Sequence, residues 1–237
     1  MYRPLLVHRS AVWIQKRPSE VRGGRMQKKT ISDNKTLDKV YTAQNDQELM
    51  EAYKEWAGKY DNDTVGTLGY VAHIATAKAL AASLDDTGSR ILDAGCGTGL
   101  VGSELAGMGY TNLDALDYSQ EMLNQAEQKK IYSHHMQADL STSLDIEKNV
   151  YDAVVCTGTF TYGHVKAHAF DELVRITRPG GIICFTIREG AYEDYGYRDR
   201  MRELEQSGKW ELVRMYDTEY LKEENISCKM CIYRVSS

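Results

Sequence analysis

Two stretches of the chain combine residue types and spacings that can hold a ligand. The first is Asp93-Ala94-Gly95-Cys96-Gly97-Thr98-Gly99, entered through Ile91-Leu92 and left through Leu100-Val101. Glycines at alternate positions let the backbone take positive φ and let a ligand lie against bare main chain, where any Cβ would obstruct it. A helix starting at Leu100 turns its first amides towards the same space, which favours a carboxylate there. A dinucleotide loop of the form G-x-G-x-x-G needs a third glycine where this chain has Leu100, so the strict fingerprint fails. The second stretch closes at Asp117, 18 residues past Gly99. A carboxylate there can accept from two vicinal hydroxyls, as on a ribose; the competing reading makes it the N-cap of a helix starting at Ser119.

These residues need a frame, and the sequence supplies one. After the glycine stretch, short apolar runs at 113–116, 134–136, 153–156 and 182–187 alternate with helical patterns at 119–130 and 165–177. Such alternation predicts a parallel sheet with helices on both faces, with ligands held beyond the carboxyl ends of the strands. Arg178-Pro179-Gly180-Gly181 breaks the helix before the run at 182–187, and a further helix is predicted over 198–206. The final runs, 210–215 and 228–235, are too close for a helical crossover and should pair antiparallel. Ahead of the core, Leu49, Met50, Tyr53, Trp56, Ala57 and Tyr60 recur at helical spacing, predicting a helix over 46–58 followed by a turn-rich stretch. A second helix is predicted over 68–84; His73 inside it reads as a packed residue with no ligand role.

The chain of 237 residues suits one well-buried domain. It has no run of 18 apolar residues, so no membrane span is expected. Five cysteines, an odd number, three of them in expected core strands or their loops, argue for a reducing compartment. The net charge of −5 hides an asymmetry: residues 1–29 carry +7 and the remainder −12. An acidic body is a poor match for a nucleic-acid backbone, which leaves small molecules and proteins as partners. Residues 1–40 form a basic leader without periodicity, expected to be disordered. It reads either as an Arg-rich organelle presequence or as a solvated tail, the latter explained by a start upstream of Met26. The location expected is cytoplasmic, with mitochondria as the alternative, and a monomer is the default.

The acidic-x-G-x-G-x-G stretch resembles motif I of the class I S-adenosylmethionine-dependent methyltransferases. The segments Trp56-Ala57-x-x-Tyr60-Asp61, Gly66-Thr67-Leu68-Gly69-Tyr70 and Gly158-Thr159-Phe160-x-x-Gly163-His164-Val165 look most like the methyltransferase-like proteins named for the Williams–Beuren syndrome region. The resemblance covers residues 46–237. It implies an α/β fold, a doubly wound, Rossmann-like seven-stranded sheet with the last strand antiparallel. It also implies S-adenosyl-L-methionine as cofactor and a domain over 41–237, with 41–85 as a helical lid and 88–237 as the core. By the same resemblance Asp93, Gly95, Cys96, Gly97 and Gly99 belong to the cofactor loop, and Asp117 takes the ribose. Tyr60 lies near the methionine end of the cofactor, Asp139 accepts from the adenine amino group, and the Leu140 amide donates to a ring nitrogen. Tyr118 and Met122 suit a flat polarisable ring. Cys156 and Thr157 reach the cofactor where substrate and donor meet.

Methyl transfer from a sulfonium is an in-line displacement whose leaving group the cofactor supplies, so orientation and water exclusion dominate. Where the acceptor needs deprotonating, His164 is the expected base, placed at the N-cap or first turn of the helix over 165–177, with Tyr162 second; the competing reading has His164 only cap the helix or order the loop. The expected function is transfer of a methyl group to an oxygen or nitrogen of a small-molecule acceptor. Its rivals are a catalytically silent scaffold and a nicotinamide-dependent oxidoreductase. No metal is expected: His164-x3-His168 lacks a third ligand, and Cys228-x2-Cys231 lacks a second pair in what reads as an edge strand. Tyr53, Trp56, Tyr192 and Tyr195 are lid candidates, the last two equally readable as a loop surface.

Overall fold

The computed structural model describes residues 35–43, 45–161 and 165–237. The leader, and with it the presequence reading, lies almost wholly outside the described residues, as do His164 and Tyr162. Strands β1 (Ile91–Ala94), β2 (Leu113–Asp117), β3 (His134–Gln137), β4 (Tyr151–Phe160), β5 (Thr177–Arg188), β6 (Trp210–Leu221) and β7 (Ile226–Val235) form one sheet. Their order is β3-β2-β1-β4-β5-β7-β6. The first five pair in parallel, and β7 runs antiparallel to both β5 and β6. The strand order reverses at β1/β4, which opens a crevice at the carboxyl ends of these strands.

The expected sheet is therefore present, but β7 is an interior strand and β6 is the edge. The burial patterns explain this: β7 is buried at most positions, whereas β6 is largely exposed between Trp210 and Tyr220. Cys228 and Cys231 fall on opposite faces of β7, in separate apolar clusters, so they cannot chelate one metal.

Helices α1 (Lys35–Thr42), α2 (Asp46–Trp56), α3 (Ala72–Ala81), α4 (Leu100–Gly107), α5 (Gln120–Gln128), α6 (Ala169–Ile176), α7 (Ala191–Asp194) and α8 (Tyr197–Gln206) connect and cover the sheet. The starts of α2 and α5 are fixed by side-chain caps: Asn45 accepts the Glu48 amide at 2.9 Å, and Ser119 accepts the Met122 amide at 3.3 Å. Three predicted boundaries shift. The helix over 68–84 begins only at Ala72, because Gly69 takes φ +64° and Tyr70 bridges to Leu221 on β6. The helix over 165–177 begins at Ala169 with His168 as its N-cap residue. Residues 178–181 are extended and belong to β5, with Gly180 at φ +79°.

One face of the sheet packs α6 and α8 through Phe160, Phe170, Phe185, Trp210 and Tyr233, with the Trp210 and Tyr233 rings stacked at 4.1 Å. Burying each such ring contributes roughly 1.5–3 kcal/mol. The other face packs α3, α4 and α5. A third cluster joins α1 and α2 to Leu68, Tyr70, Tyr220 and Leu221, and this cluster covers the crevice. Since α3 packs on the sheet, the cover consists of α1, α2 and the helical turns at 57–67. Among the described residues no helix is long and apolar enough to cross a membrane.

Candidate cofactor site

The stretch after β1 turns as its glycines predict, with φ of +73° at Gly95, +55° at Gly97 and +86° at Gly99. The three glycines are needed for different reasons. A Cβ at Gly95 would run into the Thr159 hydroxyl, and one at Gly99 would sit 3.0 Å from the Tyr132 ring. At Gly97 a Cβ meets nothing within 4 Å: that backbone faces open space in the cavity. Gly99 is the N-cap of α4, so the turn delivers the helix start to the crevice.

Asp117 fastens this loop to the end of β2. Its Oδ2 accepts the Gly97 amide at 2.8 Å and its Oδ1 accepts the Ser119 amide at 2.9 Å. The N-cap of α5 is Ser119 itself, so Asp117 is not that helix's N-cap. With three backbone donors already on it, the carboxylate keeps acceptor capacity beside the cavity it lines, which suits a hydroxyl donor. Loss of solvent raises its pKa above the ordinary carboxylate value, partly offset by the Ser119, Gly97 and Tyr118 backbone bonds.

A cavity of about 240 Å³ lies along these residues. Of the residues singled out from sequence it brings together Tyr60, Gly95, Gly97, Asp117, Tyr118, Met122, Asp139, Leu140 and Thr157. The Asp139 carboxylate also accepts the Ser141 amide at 2.7 Å, which shapes the turn after β3. Four others do not reach the wall. Asp93 is buried inside β1, where the Tyr132 hydroxyl donates to its Oδ2 at 2.6 Å; burial, with Asp117 nearby, raises its pKa to about 7. Cys96 is buried beside the loop carbonyls, and burial pushes its thiol well up. Gly99 turns towards Tyr132, and Cys156 points into the core beneath α6, its thiol pushed up to about 12 by burial. Alternation along β4 sends Thr157 to the cavity and Cys156 away from it.

The cavity also collects residues the sequence left unassigned. Leu49 and Met50 come from the buried face of α2 together with Tyr53, one of the lid candidates. Helical periodicity marks that face but not what it covers. Thr159 comes from the end of β4, and Ser141, Thr161, Val165 and Lys166 from the segments after β3 and β4, which are tied together where the Lys166 amide donates to Ser141 Oγ at 3.3 Å. The rule that ligand groups follow strand ends could have found them. A smaller chamber of about 30 Å³ adjoins, lined by Trp56, Tyr70, Tyr220 and Leu68 and sharing Tyr53, Tyr60, Gly158 and Thr161 with the first. Tyr192 and Tyr195 line neither chamber: Tyr192 packs beside the core with the Lys229 ammonium 5.4 Å over its ring. His168 bonds the Ser141 carbonyl at 2.7 Å through Nε2.

The sheet order, the glycine turn after β1 and the carboxylate closing β2 define a class I methyltransferase. Residues 92–185 match the family model described as a methyltransferase domain. The chain is 35% identical over 169 residues to human methyltransferase-like protein 27, covering 68% of each chain. It is 31% identical over 148 residues to the malonyl-[acyl-carrier protein] O-methyltransferase of Buchnera aphidicola, covering 62% of this chain and 57% of that one. In fold it matches a SAM-dependent methyltransferase from Aquifex aeolicus with a TM-score of 0.56 at 20% identity, covering 77% of this chain and 98% of that one. The chain belongs to the S-adenosylmethionine-dependent methyltransferases, and S-adenosyl-L-methionine is its cofactor.

Proposed function

We propose that the protein transfers a methyl group from S-adenosyl-L-methionine to an oxygen or nitrogen of a small-molecule acceptor. The observation that carries this reading is the cavity of about 240 Å³ beneath the cover, with the glycine loop and Asp117 on one side and Met50, Tyr53 and Tyr60 on the other. The cofactor, when bound, supplies a sulfonium-activated methyl group and its leaving group. The chain's own residues then bind, orient and exclude water. Gly95 and Gly97 offer bare backbone, and Asp117 accepts hydroxyls. Tyr118 and Met122 present an aromatic face and a thioether to a flat ring. Thr157, Thr159 and Thr161 line the same cavity at the carboxyl end of β4, where the acceptor would meet the cofactor. Orientation of this kind is worth roughly 7–11 kcal/mol of barrier. His164, with Tyr162 second, is proposed as the base for an acceptor that needs one; Thr161 and Val165, on either side of them in sequence, both line the larger cavity.

The Buchnera relative is a malonyl-[acyl-carrier protein] O-methyltransferase, which supports an oxygen acceptor as one arm of the proposal. Calorimetric titration with S-adenosyl-L-methionine should give 1:1 binding in about the micromolar range, roughly −8 kcal/mol. No heat and no thermal shift would sink the enzyme reading, and a shift with NAD in its place would favour an oxidoreductase. Incubation with labelled methyl donor and a metabolite extract then identifies the acceptor. Label appearing only in protein or nucleic acid would overturn the small-molecule assignment.

A further inference from the structure

We propose that Asp61 is a positioning residue for the cofactor, latching the cover to the glycine loop so that docking of residues 57–67 and filling of the cavity favour one another. The inference rests on the cofactor assignment above. Thr98 lies between Gly97 and Gly99, is buried, and does not line the cavity. Its hydroxyl instead donates to Asp61 Oδ1, 37 residues earlier in the chain. The other carboxylate oxygen takes the Lys129 ammonium at 2.9 Å, just beyond the end of α5. One carboxylate thus joins the cover, the cofactor loop and the helix that follows Asp117.

The cover is built to transmit that restraint. Trp56 Nε1 donates to Asp63 at 3.0 Å, the Trp56 and Tyr60 rings meet edge-on at 4.7 Å, and the Thr64 hydroxyl donates to the Tyr60 carbonyl at 2.6 Å. Residues 56–64 are therefore braced internally, and holding Asp61 holds its neighbour Tyr60, which lines both chambers. The two arms of the latch differ in kind. The Lys129 arm is part-exposed, so salt weakens it. The Thr98 arm ends on a buried hydroxyl, so it survives salt and fixes which loop conformation the cover fits. Reciprocity of coupled equilibria then requires that what orders the glycine loop also favours the docked cover.

Hydrogen exchange on the protein without cofactor and dissociation kinetics of S-adenosyl-L-methionine test this together. Thr98→Val, which is nearly isosteric, and Asp61→Ala should each speed exchange of amides in 57–67 at least tenfold while β1 and β4 stay protected. Each should raise the cofactor off-rate by about the same factor, and the double variant should be no worse than Asp61→Ala alone. Lys129→Met should give a smaller effect that vanishes at high salt. Additive losses in the double variant, or weaker cofactor binding with unchanged exchange in 57–67, would overturn the latch. If the wild-type protein bound no cofactor, the cofactor assignment would fail, while exchange in the unliganded variants would still decide whether Asp61 holds the cover down.

Discussion

The carboxylate of Asp117 accepts the backbone amide of Gly97 across 2.8 Å, so the end of β2 and the middle of the glycine loop form one hydrogen-bonded unit. The residue proposed to read the cofactor's hydroxyls thus also sets the shape of the backbone on which the cofactor lies. Asp117→Ala should lose both functions. Cofactor affinity is expected to fall at least tenfold, about 1.4 kcal/mol, with a smaller fall for Asp117→Asn, which keeps a carbonyl acceptor. Calorimetry reads both; wild-type affinity in the alanine variant would place the hydroxyls elsewhere.

The glycines separate fold from function. Gly97→Val puts a branched side chain at φ +55° into space that no protein atom occupies. It should fold with a loss of about 1–2 kcal/mol for the strained backbone, yet bind cofactor far more weakly. Gly95→Ala meets the Thr159 hydroxyl at once and should lose stability and binding together. Thermal melts with and without cofactor distinguish the two; an unaltered cofactor shift in Gly97→Val would remove Gly97 from the site.

Much of this arrangement is legible in the sequence because strand ends and ligand residues coincide. The apolar run that precedes each of Asp117, Asp139 and Thr157 marks it as following a strand, and all three line the cavity. Cys156 shows where that reasoning stops: strand parity decides which of two adjacent residues faces the cavity, and β4 continues to Phe160 through a register shift after Cys156. Motif membership likewise marks Asp93 and Cys96 but not their direction, since belonging to the motif does not say which side chains face the ligand and which face the core. The resemblance implies a last strand that inserts antiparallel near the edge, but the reading of the Cys228 to Cys231 stretch as an edge strand fails, since β6 takes the edge and β7 lies inside it. The contact of Asp61 with Thr98 joins segments 37 residues apart and has no periodic signal at all.

Asp93 makes a prediction about pH. Burial raises its pKa from the usual 3.8 to about 7, so the folded protein holds a proton that the unfolded chain has released. A raised carboxylate pKa costs nothing below pH 4, and its penalty grows as pH rises towards 7. The contribution of this group to stability should therefore fall across that window, and folding near pH 5.5 should take up close to one proton, about the value linkage gives for a single buried acid. Asp93→Asn keeps an oxygen for the Tyr132 hydroxyl and removes the titration. Denaturant melts at several pH values should show the variant gaining on wild type between pH 4 and 7; a constant difference would mean Asp93 stays ionised in the fold.

The last prediction concerns His164. The sequence places it at a helix N-cap or first turn, where the dipole disfavours the imidazolium. That argument lapses, because α6 starts at Ala169 and His168 is its N-cap residue. What supports a role for His164 is its place in the chain: Thr161 before it and Val165 after it both line the cavity. An imidazole titrating near neutrality can take a proton from an acceptor hydroxyl or ammonium at physiological pH. Base catalysis is typically worth about 10²–10⁴-fold. His164→Asn should therefore keep cofactor affinity while turnover on the identified acceptor falls by about that factor, and the acidic limb of the rate profile should disappear. Tyr162→Phe should leave that limb in place. Near-normal turnover of His164→Asn across the pH range would mean that the acceptor reacts without a base from this residue.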